Sequence, residues 1–300
     1  MQIEIEINIM VKFYRGISNQ EFINALNKLA KDKNSFWHKM IHDEDLFIAI
    51  RQEYINVYYS GQSICKLSYS PEKKIKGKTH KKYLGVEKSG YYHSENGKIL
   101  SSESVIKDLN ELIQIKNNVR NGKYIGKEKA KSYELILNKD SQVIDTEATF
   151  AKKLNPNSKE KADYEVSSID YVALEKDVEN KIRIVFYEAK HYSNSEIRST
   201  KTPKVVEQIN RYEEALKLHE KEYEQEIVKS YKLVCENLKE LNITKNRDLI
   251  ECVTDSNLTI DFQPKLIVFG FDTDSHARKT WEIHKKKIEK ELGEQRVILK

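Results

Sequence analysis

The sequence predicts an α/β protein whose second half builds a mixed sheet flanked by helices. Two strongly apolar segments, 169–174 and 182–189, have the length and the β-branched and aromatic content of buried strands. From about residue 130 onward, the expected order is strand, strand, helix, strand, helix, strand, which is typical of a layered α/β domain. The chain of 300 residues is long enough for one large or two modest domains.

The first half of the chain is predicted to form an α+β region. Ser18 is expected to cap a helix that extends to Lys31, because apolar residues recur there at helical spacing. Three β-branched and aromatic runs then predict an antiparallel meander, followed by a lysine-rich surface loop and a helix. These strands, the loop and the helix are expected at 46–50, 54–60, 64–69, 71–82 and 101–118.

A linker is predicted at residues 121–132, where two glycines and four lysines accompany few apolar side chains. It divides the chain into an N-terminal accessory domain for recognition, 1–125, and a second domain, 126–300. A long helix of the second domain is expected after Thr202, with Pro203 at its first position. The elements predicted here are a hairpin of 133–137 with 143–146, strands at 169–174 and 182–189, a helix from about 203 to 241, and a strand, a helix and a strand at 266–271, 276–292 and 296–299.

Charge and composition exclude several classes of protein. Although 33% of residues are charged, 52 Lys and Arg against 47 Asp and Glu leave a net charge of only +5. This balance excludes a histone-like polycation but permits a nucleic-acid-binding protein whose positive charge is local. No apolar run approaches the roughly 18 residues that span a bilayer, so no membrane partner is expected. Three widely spaced cysteines and an N-terminus that alternates Glu with Ile predict a reduced, cytoplasmic protein without a signal peptide.

Asp170 and Glu188 are acidic residues on the two apolar strands, where a core would normally exclude them. If the short connection 175–181 forms a hairpin centred on residue 179, Asp170 faces Glu188 across the strand pair. The same register matches apolar with apolar residues and an acid with a base. The further pairs that it predicts are Tyr171 with Tyr187, Val172 with Phe186, Leu174 with Ile184, and Glu175 with Arg183.

Two opposed carboxylates on an apolar face predict a shared cation. Like charges there repel and lose their hydration, so one carboxyl keeps its proton unless a cation binds. Oxygen ligands favour Mg²⁺ or Mn²⁺ over zinc. Lys190 lies two residues beyond Glu188 and hence on the same face, where it can hold a water molecule and stabilise a charged transition state. The alternative interpretation is a structural Glu–Lys pair at a strand end and a solvent-facing Asp.

This arrangement of Asp170 followed by Glu188-Ala189-Lys190 resembles the signature of the PD-(D/E)xK, or restriction-endonuclease-like, nuclease superfamily. The resemblance implies that Asp170, Glu188 and the backbone oxygen of Ala189 bind the metal, and that Lys190 positions the attacking water. The triplet Glu-x-Lys begins at Glu72, Glu179 and Glu188. Only the last ends an apolar strand with a partner acid one hairpin away. The proline that often precedes the Asp is replaced by isoleucine.

Gln208 and Tyr212 lie four residues apart on the helix that follows, and therefore on one face of it. They resemble the Gln-x-x-x-Tyr motif of the RecB-like branch of the superfamily, which implies that this helix contacts substrate; the alternative is that Tyr212 is a core residue only. Glu147 matches the additional acid that many members carry, which implies a further metal ligand, with a structural role as an equal alternative. The resemblance covers about 133–300. The remaining residues expected to contact substrate are His191, Arg198, Lys201 and Lys204, with the start of a loop as an equal alternative for His191.

The resulting functional hypothesis is a Mg²⁺-dependent nuclease that hydrolyses phosphodiester bonds. DNA as the substrate, with RNA as the alternative, follows from the resemblance, and a role in restriction, repair or phage defence follows only by analogy. The competing hypothesis is a non-catalytic nucleic-acid-binding or interaction protein that retains the fold. If the chain assembles with itself or with another subunit, the N-terminal domain or the helix at 227–241 is the expected contact.

Overall fold

The computed structural model confirms the mixed α/β class. It describes residues 13–122, 126–138, 141–153, 164–199, 202–217, 220–243, 247–254, 257–271 and 275–300. Within these residues the chain forms two sheets and eight α-helices. None of the described helices is long and apolar enough to cross a membrane.

The first sheet is an antiparallel meander preceded by two short helices, α1 (Gln20–Ala30) and α2 (Phe36–Ile41). Its first three strands confirm the predicted meander. Asn19, rather than Ser18, caps α1, because its side chain accepts a hydrogen bond from the backbone N of Phe22. Ser18 instead donates to Glu53 at 2.7 Å. The strands are β1 (Leu46–Ile50), β2 (Tyr54–Tyr59), β3 (Gln62–Tyr69), β4 (Ile75–His80), β5 (Tyr91–Glu95) and β6 (Lys98–Ile99).

The lysine-rich segment at 71–82 contains strand β4 and the start of a 3₁₀ turn, Lys81–Leu84, so the prediction of a loop was wrong. Ile75, Gly77 and Thr79 alternate as buried positions, and the polar residues between them point away from the core. This is the period of a half-buried strand. The lysines on the outer face hid the pattern in the sequence.

The predicted linker and hairpin were also wrong where they overlap helix α4 (Lys127–Leu137). Tyr133 and Ile136 pack on the apolar cluster that includes Phe47 and Tyr58 of the first sheet. A short apolar run does not distinguish a strand from a helix, and here packing of one face selects the helix. Residues 123–125 of the predicted linker lie outside the described residues. The preceding helix, α3 (Leu112–Asn121), starts later than predicted.

The second sheet is mixed and has the order β12-β11-β9-β8-β7, with β10 beside β9. Strands β7, β8 and β9 are antiparallel, whereas β9, β11 and β12 are parallel. The long predicted helix corresponds to α5 and α6 on either side of residues 218–219, which lie outside the described part of the chain. The elements are β7 (Val143–Lys153), β8 (Tyr164–Lys176), β9 (Ile182–His191), α5 (Lys204–Lys217), α6 (Glu220–Glu240), α7 (Asp248–Cys252), β10 (Leu258–Ile260), β11 (Lys265–Phe269), α8 (Ser275–Leu292) and β12 (Val297–Leu299).

The largest apolar cluster draws residues from both halves of the chain. Ile23 and Ile50, before the predicted linker, share it with Phe186 and Tyr231, after the linker. In helix 227–241 the apolar stripe that was considered for a partner is buried in this cluster: Ile227, Tyr231, Val234, Leu238 and Leu241. The domain boundary at 125 stays a prediction.

Candidate active site

The hairpin of β8 and β9 has the register that the sequence predicts. Tyr171 pairs with Tyr187, and the remaining predicted pairs follow in step to Glu175 with Arg183. The ladder of β8 and β9 begins at Tyr171 and Tyr187, so Asp170 and Glu188 occupy the next position, just beyond the last paired residues. Both residues line a pocket at this position, and Glu188 also pairs with Leu266 of β11.

The side chain of Asp170 accepts a hydrogen bond from the backbone of β9. Its Oδ2 accepts from the backbone N of Ala189 at 2.9 Å. The carbonyl of Asp170 accepts in turn from the hydroxyl of Thr146 on β7, at 2.9 Å. Asp170 is therefore held from both neighbouring strands, and its carboxylate stays next to the Glu-x-Lys segment.

Glu188 is almost fully buried, with 2% of its surface exposed. Its Oε1 accepts a hydrogen bond from Nε2 of Gln208 at 2.9 Å and lies 2.9 Å from Nζ of Lys190. Its Oε2 is buried without a hydrogen-bond partner among the described residues. Because an unpaired buried oxygen is costly, Oε2 is the atom of this site most in need of a ligand.

Both carboxyl groups have a raised proton affinity. Burial, followed by the negative charge of Asp170, raises the pKa of Glu188 to about 8. Burial also raises the pKa of Asp170, although the hydrogen bond from Ala189 and the charge of Lys190 oppose that shift. Without a cation, the pair therefore retains a proton near neutral pH.

Lys190 lies between two carboxylates. Its Nζ is 2.9 Å from Oε1 of Glu188 and 2.7 Å from Oε2 of Glu196, in the segment that follows β9. Burial by itself lowers the pKa of Lys190, but these two negative charges raise it above its ordinary value. The lysine is consequently a cation at the wall of the pocket.

Helix α5 brings Gln208 and Tyr212 to Glu188. The Tyr212 hydroxyl lies 2.5 Å from Nε2 of Gln208 and donates to the carbonyl of Ser168 at 2.7 Å. Tyr212 is also buried, as the core alternative predicted. Gln208 thus holds the carboxylate of Glu188, and Tyr212 holds Gln208 and the backbone of β8 at Ser168. Contact with substrate stays a prediction for both.

Glu147 lies on β7 at the position opposite Asp170, since Thr146 pairs with Tyr171 and Ala148 with Ile169. Its backbone adopts a φ of +53°, which costs a residue with a Cβ about 1–2 kcal/mol. Its carboxylate accepts hydrogen bonds from Nζ of Lys129 at 2.6 Å and from the hydroxyl of Tyr58 at 3.0 Å. Although burial alone raises its pKa, these bonds hold it below its ordinary value. Glu147 therefore lines the site as a carboxylate already engaged by a cation.

Asp170, Glu188, Lys190 and Glu147 line one pocket of about 380 Å³. The lining residues that were not predicted for the site include Gly126, Glu128, Lys129 and Asn194. Glu128 accepts from the backbone N of His191 at 2.9 Å and from the side chain of Asn194 at 2.8 Å, and so joins α4 to the end of β9. The glycines and lysines of residues 121–132 predicted a linker. They concealed the helix that brings Glu128 and Lys129 to the pocket.

The residues expected to contact substrate are distributed unevenly. His191 directly follows Lys190 and packs closely against Gly270. Arg198 donates from Nε to the carbonyl of Tyr192 at 2.8 Å, and Lys204 is exposed at the first turn of α5. Lys201 lies outside the described residues. A role in substrate binding stays a prediction for these four residues.

A buried charged cluster lies behind Glu147. The carboxylate of Asp145, fully buried on β7, forms ion pairs with Arg15 and Arg51 and accepts from the hydroxyl of Tyr231. Burial lowers the pKa of Arg51, but the charge of Asp145 together with the contributions of Tyr58 and Tyr231 raises it above its ordinary value. Arg51 also donates to the hydroxyl of Tyr58 at 3.0 Å, which in turn donates to Glu147. The first sheet thereby supports the rim of the pocket.

The donor set is compatible with Mg²⁺ or Mn²⁺ but does not form a complete protein cage. Among the described residues, no three His, Cys, Asp or Glu side chains converge as a metal-binding group. Mg²⁺ characteristically binds through one or two carboxylates and keeps several waters, and it completes its shell with substrate phosphate oxygens. Asp170 and the unpartnered Oε2 of Glu188 fit that requirement.

Comparisons of the chain with protein-family models, with curated proteins and with solved structures found no match. The functional inference therefore depends on the geometry of this pocket and on the sequence pattern that it contains.

Proposed function

We propose that this protein is a Mg²⁺-dependent nuclease that hydrolyses phosphodiester bonds, with Asp170, Glu188 and Lys190 as its catalytic residues. The observation that carries the proposal is the buried Oε2 of Glu188, which has no described hydrogen-bond partner beside a second carboxylate and a lysine. A structural Glu–Lys pair at a strand end has no need of a second buried acid with a raised pKa. A metal-dependent phosphodiesterase needs both acids and the cation.

Each residue has a separate task in the proposed reaction. Asp170 and Glu188 would hold the divalent cation, with the Ala189 carbonyl as the further ligand that the family resemblance implies. When bound, that ion would supply Lewis-acid stabilisation of charge on the phosphate oxygens. Lys190 would hold a water molecule for in-line attack and donate a hydrogen bond to the charge that develops. Gln208 would keep Glu188 Oε1 engaged, so that Oε2 faces the ligand.

The polymer is proposed to be DNA, on the strength of the family resemblance alone. RNA is the alternative, and restriction, repair or phage defence remain roles by analogy. The mixed second sheet with flanking helices supports a restriction-endonuclease-like core. The proposed location is the cytoplasm.

The test is a cleavage assay with plasmid DNA, linear duplex DNA, single-stranded DNA and structured RNA, in Mg²⁺, Mn²⁺ or EDTA. Glu188→Gln and Lys190→Ala are each expected to lower the cleavage rate by at least about 100-fold. The chain provides a matched control in its other hairpin triplet, Glu179-Asn180-Lys181, whose exposed ion pair has an Nζ–Oε2 distance of 2.7 Å. Glu179→Gln and Lys181→Ala should leave the rate within about two-fold.

Two outcomes contradict the proposal. Full activity in Lys190→Ala would remove the mechanism, whereas salt-dependent binding that ignores EDTA, without cleavage in either metal, would favour the non-catalytic alternative. Cleavage of structured RNA but not of DNA would retain the site and change the substrate.

A further inference from the structure

The outer face of the first sheet carries a row of basic residues. Lys66 of β3 pairs directly with Lys78 of β4, which pairs in turn with His93 of β5. Asn56 of β2 precedes them in the same row. Neighbouring strands lie about 4.8 Å apart, so the row crosses roughly 14 Å of the sheet. The opposite face of these strands is packed into the core.

Directly opposed like charges destabilise a sheet, and here no described acid compensates for them. Neither Lys66 nor Lys78 forms an ion pair within the described part of the chain. Burial, and then the charge of Lys78, lowers the pKa of Lys66. Glu95 is the one acid at an outward-facing position of the described strands β2–β5. Its carboxylate oxygens form ion pairs with Nζ of Lys74 at 2.7 Å and Nζ of Lys76 at 2.6 Å. The Lys66–Lys78 pair therefore leaves an uncompensated positive charge on an exposed face.

Aromatic rings lie next to these ammonium groups. Nζ of Lys66 is 3.6 Å from the centroid of Tyr54, and Nζ of Lys78 is 4.4 Å from that of Tyr91. Tyr91 is 53% exposed, so its ring is accessible to a ligand. A positive surface with interleaved aromatic rings is the combination that binds a single strand, because phosphates meet the cations and bases stack on the rings.

This face leads to the pocket described above. Asn56 and Tyr58 lie on the same side of β2, since they are two residues apart. The side chain of Asn56 donates to the hydroxyl of Tyr58 at 3.3 Å, and that hydroxyl donates to Glu147 at the pocket rim. The basic row is therefore connected to the rim of the pocket through the buried Tyr58 hydroxyl.

We infer that the outer face of the first sheet, centred on Lys66, Lys78 and Tyr91, binds single-stranded nucleic acid and guides it toward the pocket. Binding of a single strand at this face extends the proposed nuclease function. The inference rests on that function only for the guidance of the strand to the pocket. The occupant is a flexible polyanion with stackable bases, because charge and exposed aromatic area occur together.

The experiment measures binding without cleavage. Fluorescence anisotropy of a labelled single-stranded oligonucleotide is followed in EDTA, with Asp170→Asn present in every variant of the full chain. The double substitution Lys66→Ala and Lys78→Ala is expected to raise Kd about ten-fold and to lower the slope of log K against log salt by about 1.4, the value for two phosphate contacts on a single strand. Tyr91→Ala should raise Kd several-fold without changing that slope. The control is Lys286→Ala with Lys290→Ala, which removes the same charge from exposed positions of α8 and should change Kd by less than about two-fold.

The inference fails if both double variants weaken binding equally, if duplex DNA binds as well as the single strand and loses as much, or if polyglutamate competes as well as the oligonucleotide. The first result would indicate non-specific charge, the second a duplex site and the third an acidic protein partner. Cleavage assays on the same variants with Asp170 restored separate the two proposals. Cleavage with unaltered single-strand binding refutes the surface alone, and specific binding without any cleavage refutes the nuclease alone.

Discussion

Asp170 Oδ2 accepts the backbone N–H of Ala189 at 2.9 Å, so that a side chain takes the next hydrogen bond beyond the last paired residues of two strands. This bond sets the position of the Glu-x-Lys segment relative to the acid. It also gives Asp170 a structural role in addition to the chemical one that we propose.

The two roles of Asp170 can be separated by two substitutions. Asp170→Asn keeps an acceptor for the Ala189 N–H and removes the negative charge, so the free energy of unfolding should fall by less than about 1 kcal/mol or rise. Asp170→Ala leaves that N–H without its acceptor and should cost about 1–3 kcal/mol. Both should lower Mg²⁺-dependent cleavage at least about 100-fold. Urea denaturation and the cleavage assay check this; equal stability of the two variants would contradict the structural role.

The raised pKa of Glu188 predicts a pH dependence of stability in EDTA. The folded group titrates at about 8, above the ordinary value near 4.3, so between these values the folded state binds more protons. Its contribution to the free energy of unfolding therefore decreases as pH rises through this window, by at most about 1.4 kcal/mol per pH unit. Glu188→Gln lacks this decrease. The difference in the free energy of unfolding between Glu188→Gln and the wild type should therefore grow from about pH 5 to 8. The control Glu179→Gln should show the same pH dependence as the wild type.

Divalent cations compete with that proton. The increase in Tm on adding about 10 mM Mg²⁺ should be larger at about pH 8.5 than at about pH 6.5, because the carboxyl must lose its proton before it can bind. Differential scanning calorimetry of the wild type and of Glu188→Gln measures the effect, which should be absent in the variant. An equal increase in both proteins would place Mg²⁺ elsewhere.

The buried charge of Asp145 predicts a large loss of stability when it is removed. Asp145→Asn leaves the guanidinium of Arg51 buried without its counterion, which should cost about 3–5 kcal/mol. Tyr231→Phe deletes only one hydrogen bond to the same carboxylate and should cost about 1–3 kcal/mol. Glu21→Gln, which breaks the exposed pair with Lys73, serves as the control and should cost under about 1 kcal/mol. Urea denaturation ranks the three variants.

Gly270 and Gly90 form a second matched pair. Both have a positive φ, +96° and +103°, so alanine at either position should cost about 1–2 kcal/mol in the backbone. An added methyl at Gly270 would also overlap the imidazole of His191, whereas at Gly90 it has space. Gly270→Ala should therefore be the more destabilising and should reduce cleavage by displacing His191. Identical Tm values for the two variants would show that the overlap with His191 does not lower stability.

The sequence predicted best where two constraints agreed. The pairing of Tyr171 with Tyr187 and its successors satisfied both apolar matching and charge matching, and the structure has that register. It predicted worst where composition and periodicity disagreed. The lysines of β4 concealed a strand, and the glycines and lysines before Tyr133 concealed the start of a helix.

The site was predictable only as far as short-range spacing extends. Asp170, Glu188 and Lys190 follow from one hairpin, and Gln208 follows from the next helix. Glu128, Lys129 and Tyr58 reach the pocket region through tertiary packing that no local pattern encodes. Glu147 directly follows the predicted strand 143–146, but its engagement by Lys129 depends on a helix that the sequence analysis did not predict.

Arg15 and Arg51 belong to the part of the chain before residue 122, whereas Asp145 belongs to the part after it. A fragment that begins at residue 126 would leave the Asp145 carboxylate with neither guanidinium beside it, and Glu147 would lose the hydroxyl of Tyr58. The sheet that carries Asp170 and Glu188 therefore depends on the N-terminal region for its charge balance. Any exchange of the N-terminal region for another recognition unit would have to supply a replacement for both arginines.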